Sequence, residues 1–439
     1  MPQHIFVLGL EPRNLAELEA LPNAEQYIFH SLLTIEEMQE GRVSFPKILQ
    51  KAQDRLDQFE GPIDAIVGYW DFPVNMLVPI LSQQYGLRSK ELEAVVKCEH
   101  KYWSRLEQQN VIDVHPAFGL IDVDDPMATL PSHMIYPVWV KPIQSFSSQG
   151  AHYASDEGAL RAALETERQQ THSTGDAFDE VLKLLDLPDE VADISGHAYM
   201  VEEAVFGQQC TLEGYSWGEK VEIIGVVDSI LYDDAPSFLR YQYPSQLPEH
   251  ALAKMAETTR RVLGAIGLRN STFNIEYFWD EATQHLALLE INSRHSQSHA
   301  EIFRWVDGMP NHLAMMDLAL GRRPHMPEAQ GEYRIAAKWM LRRFSDGFVH
   351  RVPSAAEIAE LEQRFPAVHI KIVAKEHMWL SDLEGQDSYS FMLAEVYVAG
   401  QSERELRSIY DYCCNELVFT IEDDIKEQRG DVSERNATD

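Results

Sequence analysis

The 439-residue chain is short of basic residues, of cysteine and of long apolar runs. Lys and Arg number 37 against 70 Asp and Glu, which leaves a formal net charge of −33. So acidic a surface repels phosphate backbones and argues against broad binding to nucleic acid or an anionic membrane. A basic groove inside an acidic shell stays compatible with that argument. No stretch approaches the roughly 18 apolar residues of a membrane span. Residues 1–10 lack a basic segment and carry only a short apolar run, so they read as a first strand and not as a signal peptide. Cys98, Cys210, Cys413 and Cys414 show no metal-ligand spacing, and adjacent cysteines seldom bridge each other. Four cysteines in so long a chain suit a reducing compartment. The expectation is a cytoplasmic protein with no nucleic-acid or membrane partner. No internal repeat at a solenoid period is present.

What is present is ordinary globular composition, 45% hydrophobic and 24% charged, in a length that suits two or three compact units. The first unit, residues 1–95, alternates strand and helix signals. Ile5–Leu10 and Ile63–Trp70 read as buried strands, and residues 15–21, 35–40 and 46–59 read as helices. That alternation predicts a parallel sheet covered by helices. One helix is expected over Glu91–Gln109, then a strand near Val111–Phe118 and a turn-rich stretch over Asp122–Ser132. Tyr136–Pro142 reads as a strand, 156–169 as a helix and 170–196 as a polar, acidic excursion. Strands at Ala198–Glu203, Cys210–Trp217 and Lys220–Ile230 precede an amphipathic helix, Glu249–Ile266, stopped by Gly267. Two further strands, Ser271–Trp279 and Leu286–Ile291, flank the turn Asp280–Gln284. The segment 326–425 reads as a separate α+β unit whose helix Ser354–Arg364 opens on Ser354 as N-cap, and 426–439 as a polar tail.

Four local features carry chemistry. Lys141 ends an apolar strand and is followed by the Ser-rich turn 144–150, which includes Ser145, Ser147, Ser148 and Gly150. A lysine there can reach phosphate oxygens while the loop offers backbone N–H groups, though alone it is equally an ordinary surface lysine. The strand end Glu202, Glu203, Ala204, Val205 offers backbone groups to an adenine edge and an acid to a ribose hydroxyl, or is simply two solvated glutamates. Glu276 lies on one arm of the predicted hairpin, and Glu290 and Asn292, two apart and so on one face, lie on the other. Three hard oxygen ligands converging beside phosphates make a Mg²⁺ site. Arg294, just past the hairpin, can clamp a carboxylate or a transferring phosphoryl group, or cap its own loop. Gln297 and Ser298 are pocket candidates beside it, and His295 and His299 read as helix-start or pocket-lining residues.

Taken in order, these segments resemble the ATP-grasp superfamily, in particular its carboxylate–amine ligases, across roughly residues 95–325. The resemblance rests on Val140, Lys141 and Pro142 with the Ser-rich loop, on Glu202, Glu203 and Gly207, on Ile275 and Glu276, and on residues 290–294. It implies an α/β and α+β multidomain chain. A Rossmann-like first domain (1–95) precedes an ATP-grasp domain (96–325, small lobe about 136–205) and an α+β cap (326–425) like that of dipeptide-forming ligases. It further implies ATP between two lobes, with Lys101 and Lys141 on the phosphates and Glu202 to Val205 at the adenine. Glu213 would neighbour the ribose or the metal. Glu276, Glu290 and Asn292 would hold one or two Mg²⁺ ions, with Mn²⁺ an acceptable substitute, and Arg294 would stabilise an acyl phosphate. The expected activity is ATP-dependent joining of a small carboxylate to an amine, amino-acid or dipeptide ligation among the options, in a protein expected from its family to dimerise through the first domain. The proton acceptor for the amine is left open among Glu213, His295 and His299. Two alternatives stand beside this one: a biotin carboxylase-like or formyl- or carboxyl-transferring enzyme, and a non-catalytic ATP-binding scaffold.

Overall fold

The computed structural model describes residues 2–39, 44–145, 150–169, 173–383, 386 and 389–423. Its first unit is a parallel sheet in the order Tyr27–Leu33, Gln3–Leu8, Ala65–Gly68. The strand Tyr27–Leu33 escaped the sequence reading because its His30 and Ser31 interrupt the apolar run. Both faces of the central strand are covered, which explains its unbroken apolar sequence. Ile5 and Val7 pack with Leu18, Tyr69 and Met316, whereas Phe6 and Leu8 pack with residues of the helices Phe45–Asp57 and Val74–Gln84. Each such side chain contributes about 1.5–3 kcal/mol by leaving water.

The predicted single helix over 91–109 is two helices, Leu92–Glu99 and Lys101–Gln109, broken at His100. His100 takes an extended backbone and its Nδ1 accepts the Trp103 amide at 3.1 Å, so it caps the second helix and places Lys101 at that helix's first position. The strand expected at Val111–Phe118 begins only at its end, as Phe118–Ile121. Pro116 offers no N–H to a ladder. The preceding stretch is instead an irregular segment that buries Ile112 and Val114 and accepts the Leu288 amide at Val114 O, 2.7 Å.

The small lobe is an antiparallel sheet in the order Phe118–Ile121, Tyr199–Glu203, Val138–Pro142, His152–Ala154, backed by the helix Glu157–Arg168. The acidic stretch 170–196 contributes a helix, Ser173–Leu182, that is not a solvated excursion. Its Ala177, Phe178, Val181 and Leu182 enter the core of the first unit, with Asp176 and Asp179 left on the other side. The spacing i, i+1, i+4, i+5 is that of a helix face.

The main sheet has eight strands, in the order His285–Asn292, Ser271–Asp280, Gln208–Trp217, Lys220–Tyr232, Ala235–Tyr243, Ile335–Arg343, Phe391–Gly400, Val368–Ile372. Three strands from the segment 326–425 therefore continue the central sheet, joined through the pairing of Arg240 with Trp339. The helix Glu249–Ile266 ends at Gly267 in the left-handed conformation, φ 78°, and lays Met255, Val262 and Ile266 against Leu212, Phe273 and Ile275. One face of this half of the sheet is thus apolar and covered, and the other is left for polar side chains. Ser354 caps Ala355–Arg364 through a capping box with Glu357, as expected. Among the described residues no helix is long and apolar enough to cross a membrane.

Candidate functional site

The polar face carries a grid of oxygen-bearing side chains. Glu276 pairs directly with Glu290, and Asn274 with Asn292, across the predicted hairpin. The next strand sets Thr211 opposite Glu276 and Glu213 opposite Asn274. Alternation along Ser271–Asp280 sends Phe273, Ile275 and Tyr277 to the helix side and Asn274 and Glu276 to the other. Burial first, and the Glu290 charge next, push the Glu276 carboxyl up to about 7. Gln209 donates to Glu276 Oε2 at 2.9 Å, and Lys101 Nζ lies 3.4 Å from Glu290 Oε1. Two partly buried carboxylates facing each other are short of positive charge, which is what a divalent cation supplies. Among the described residues no three His, Cys, Asp or Glu side chains form a metal centre by themselves. Two carboxylates and an amide nevertheless fit Mg²⁺, which takes few protein ligands and completes its shell with phosphate oxygens and water.

Lys101 reaches the same place from the capped helix and donates to Ser145 O at 2.8 Å. It therefore bridges the hairpin and the start of the Ser-rich turn. Gly150, at the far end of that turn, has φ 68°, a conformation that suits glycine. Ser147 and Ser148 lie outside the described residues.

Lys141 and Glu202 lie diagonally across neighbouring strands of the small lobe and form an ion pair. Arg105 adds a second one: its Nε donates to Glu202 Oε1 at 2.8 Å, and its Nη2 donates to Leu289 O at 2.5 Å. Burial would raise the Glu202 carboxyl, but Arg105 and then Lys141 overcome it and hold it at about 2. The Glu202 side chain is thus turned inward onto two cations. Glu203 is exposed and accepts the Ala117 amide at 3.1 Å, while the Ala204 amide donates to Pro137 O at 3.0 Å. Ala204 and Val205 follow directly on the strand Tyr199–Glu203. Cys98, Lys101, Arg105, Lys141, Glu202 and Glu290 line one narrow cavity between the small lobe and the hairpin.

Past the hairpin, Arg294 extends to Asp71 of the first unit, with Nε 2.7 Å and Nη2 2.5 Å from the same oxygen, Oδ1. Lys90 fixes the adjacent backbone by donating to Ser293 O at 2.6 Å. Burial lowers the Lys90 ammonium to about 8, against the opposing pull of Glu99. Burial, and then Asp71 and Glu290, raise the Glu99 carboxyl to about 7.

Glu213 is fully buried and accepts from Asn274 (3.1 Å), the Ser296 amide (3.2 Å), His299 (2.7 Å) and Asn311 (2.8 Å). His295 Nε2 lies 2.8 Å from His312 Nδ1, and burial followed by the His312 neighbour keeps it well below the usual histidine range. Ser298 meets Ser296 at 3.0 Å, and Gln297 opens the short turn Gln297–His299. These residues form the scaffold that carries Arg294.

Comparison with known proteins bears on the fold that holds these residues. Residues 134–300 match the family model of the ATP-grasp domain. Over those residues the chain is similar to the ATP-grasp domain, and its fold is the ATP-grasp fold. The structure of L-amino acid ligase from Bacillus licheniformis aligns with a TM-score of 0.70 at 13% identity, over 95% of this chain and 98% of that one. Phosphoribosylglycinamide synthetase from Anaerococcus prevotii aligns at 0.62 and 12%, over 96% and 100% of the two chains. Biotin carboxylase from Campylobacter jejuni aligns at 0.62 and 14%, over 95% and 92%. At these identities the likeness is one of fold. A sequence search of curated proteins gives no match.

Several residues that shape this candidate site were not singled out in the sequence. Arg105 is four residues after Lys101 on one helix, so the two share a face. Asn274 is two residues before Glu276 on one strand and shares its face too. Asp71 follows the carboxyl end of a parallel strand, where α/β sheets gather ligands. Lys90 and Glu99 gave no signal.

Proposed function

We propose that this protein is an ATP-dependent ligase that activates a small carboxylate as an acyl phosphate for attack by an amine, with amino acids or a dipeptide as the products' building blocks. The observation that carries the reading is the convergence of Lys101, Lys141 and Glu290 on one cavity, with Glu276 directly opposite Glu290 and Arg294 just beyond the hairpin. The likeness in fold to L-amino acid ligase supports it. ATP would lie between the small lobe and the main sheet. Lys101 and Lys141 bind its phosphates, the backbone of Glu202 to Val205 faces its base, and the exposed Glu203 suits a ribose hydroxyl. Ser145 and Gly150 are phosphate-binding residues in this reading. Glu276, Glu290 and Asn292 would hold Mg²⁺ or Mn²⁺, which supplies charge neutralisation to the terminal phosphates. A carboxylate resists amines because oxide leaves poorly; phosphorylation gives it phosphate as the leaving group. That transfer is positioning and electrostatics, so lysines and an arginine serve it without a protein nucleophile.

Arg294 stabilises the charge that accumulates on the acyl phosphate and its tetrahedral successor. Gln297 and Ser298 lie beside it as substrate-pocket residues. Glu213, His295 and His299 are bound into one buried scaffold, so the reading gives none of them the amine's proton. The test is a screen of amino acids and small acids with MgATP, scored by phosphate release. Release that requires both a carboxylate and an amine, and that Glu290→Ala abolishes, is expected. Full turnover in Glu290→Ala, or stimulation by bicarbonate alone, overturns the reading.

A further inference from the structure

We propose that Asp71 is an internal competitor for Arg294: it occupies the carboxylate subsite of the guanidinium and yields it only when a ligand brings more negative charge than a single carboxylate. The inference rests on the ligase reading for its catalytic meaning, but not for its geometry. The two anchors of the contact are fixed. Asp71 sits on a loop held by the Val74 amide at Asp71 O (2.9 Å) and by the Trp70 indole at Gly9 O (2.8 Å). The Arg294 backbone follows Ser293, whose carbonyl is held by Lys90. The exchangeable part of the contact is the Arg294 side chain, whose Nη1 also donates to His295 O at 3.4 Å. Its Nε and Nη2 both converge on Asp71 Oδ1, so the fork is spent on one oxygen. The Arg294 and Asp71 side chains are 14% and 26% exposed, so a ligand arriving in the site can reach the contact.

The energetic consequence follows from charge. A substrate carboxylate carries one negative charge, as Asp71 does, so exchanging one for the other gains little. The Arg294 contact is therefore not realised in the ground state. Once a phosphoryl group has joined the carboxylate, the ligand carries further charge and a second set of acceptor oxygens in bidentate reach, and it outcompetes Asp71. An interaction made only after charge has accumulated accelerates the reaction, whereas one made equally with bound substrate does not. Asp71 acts through Arg294 and is a positioning residue.

The experiment needs no substrate. Inorganic phosphate and acetate are titrated, by calorimetry, into the full-length protein loaded with MgADP. Asp71→Asn is expected to tighten both anions about tenfold, while Asp71→Glu keeps wild-type affinities. Arg294→Met is expected to abolish the gain, so that Asp71→Asn combined with Arg294→Met equals Arg294→Met alone. Asp71→Ser carries the same expectation and stands in if the amide variant does not fold. Affinities in Asp71→Asn and Asp71→Ser within twofold of wild type, or a gain that survives Arg294→Met, overturn the proposal. Once a carboxylate substrate is known, Asp71→Asn should lower its KM without raising kcat. Failure of the ligase reading leaves the anion titration intact.

Discussion

Glu276 and Glu290 stand directly opposite each other on adjacent strands, with the Glu276 carboxyl raised to about 7 by burial and by its neighbour. Like charges across a strand pair destabilise the sheet. Glu290→Gln should therefore leave the free protein at least as heat-stable as the wild type while weakening MgADP about tenfold or more, some 1.4 kcal/mol. Thermal denaturation without nucleotide, paired with MgADP titration, reads both effects. A variant that loses stability and keeps its MgADP affinity would contradict the metal assignment.

Glu202 is held at about 2, far below its ordinary 4.5, because Arg105 and Lys141 overcome its burial. A carboxyl depressed in the folded state stabilises the protein above its unfolded pKa. That contribution is lost as pH falls from about 4.5 toward about 2. Glu202→Gln strands two cations in the lobe and should reduce stability by about 3–5 kcal/mol near neutral pH. The gap between wild type and variant, measured by urea denaturation, should narrow as the pH is lowered through that window. A gap that is constant with pH would mean that the carboxylate charge is not what holds the lobe.

The hairpin, the shared face of its oxygen-bearing side chains and two of the three strands of the first parallel sheet were legible because their information is local. Alternation over 273–277 and a two-residue spacing at Glu290 and Asn292 decide which side chains share a face. The contacts that complete the site are not local. Arg294 meets Asp71 across 223 positions and Arg105 meets Glu202 across 97, so no window of sequence contains either pair. His100 shows a different obstacle. Helical periodicity continues through it, and only the cap it forms, with the extended backbone that the cap needs, reveals the break that sets Lys101 at a helix start. The acidic stretch 170–196 misled for the opposite reason: its charge is conspicuous, and its apolar face is only two turns long.

That face gives a stability test. Phe178 is fully buried, 5.9 Å from Phe72 and 6.1 Å from His100 between ring centroids. Phe178→Ala should destabilise the protein by about 3–5 kcal/mol through the cavity it leaves. Because His100 caps the helix that carries Lys101, the same variant should also weaken ADP. Phe178→Leu should recover most of both losses. Urea denaturation and nucleotide titration distinguish this from a peripheral excursion, whose truncation would change neither.

Glu213 separates a scaffold residue from a ligand residue. If its carboxylate touched ribose or metal, Glu213→Gln would reduce nucleotide affinity and leave the fold alone. The structure gives it a different occupation: Asn274, the Ser296 amide, His299 and Asn311 all point donors at its two oxygens. An amide in its place turns an NH₂ toward donors, leaving buried polar groups unsatisfied. The expected loss is about 3 kcal/mol of stability. It should be concentrated in the segment 292–299, where faster hydrogen exchange would report it. ADP affinity should change little, since Lys101 and Lys141, the proposed phosphate ligands, come from other elements, whereas phosphate binding through Arg294 should weaken because its loop is no longer held. Reduced ADP affinity with unchanged stability would return Glu213 to the nucleotide site.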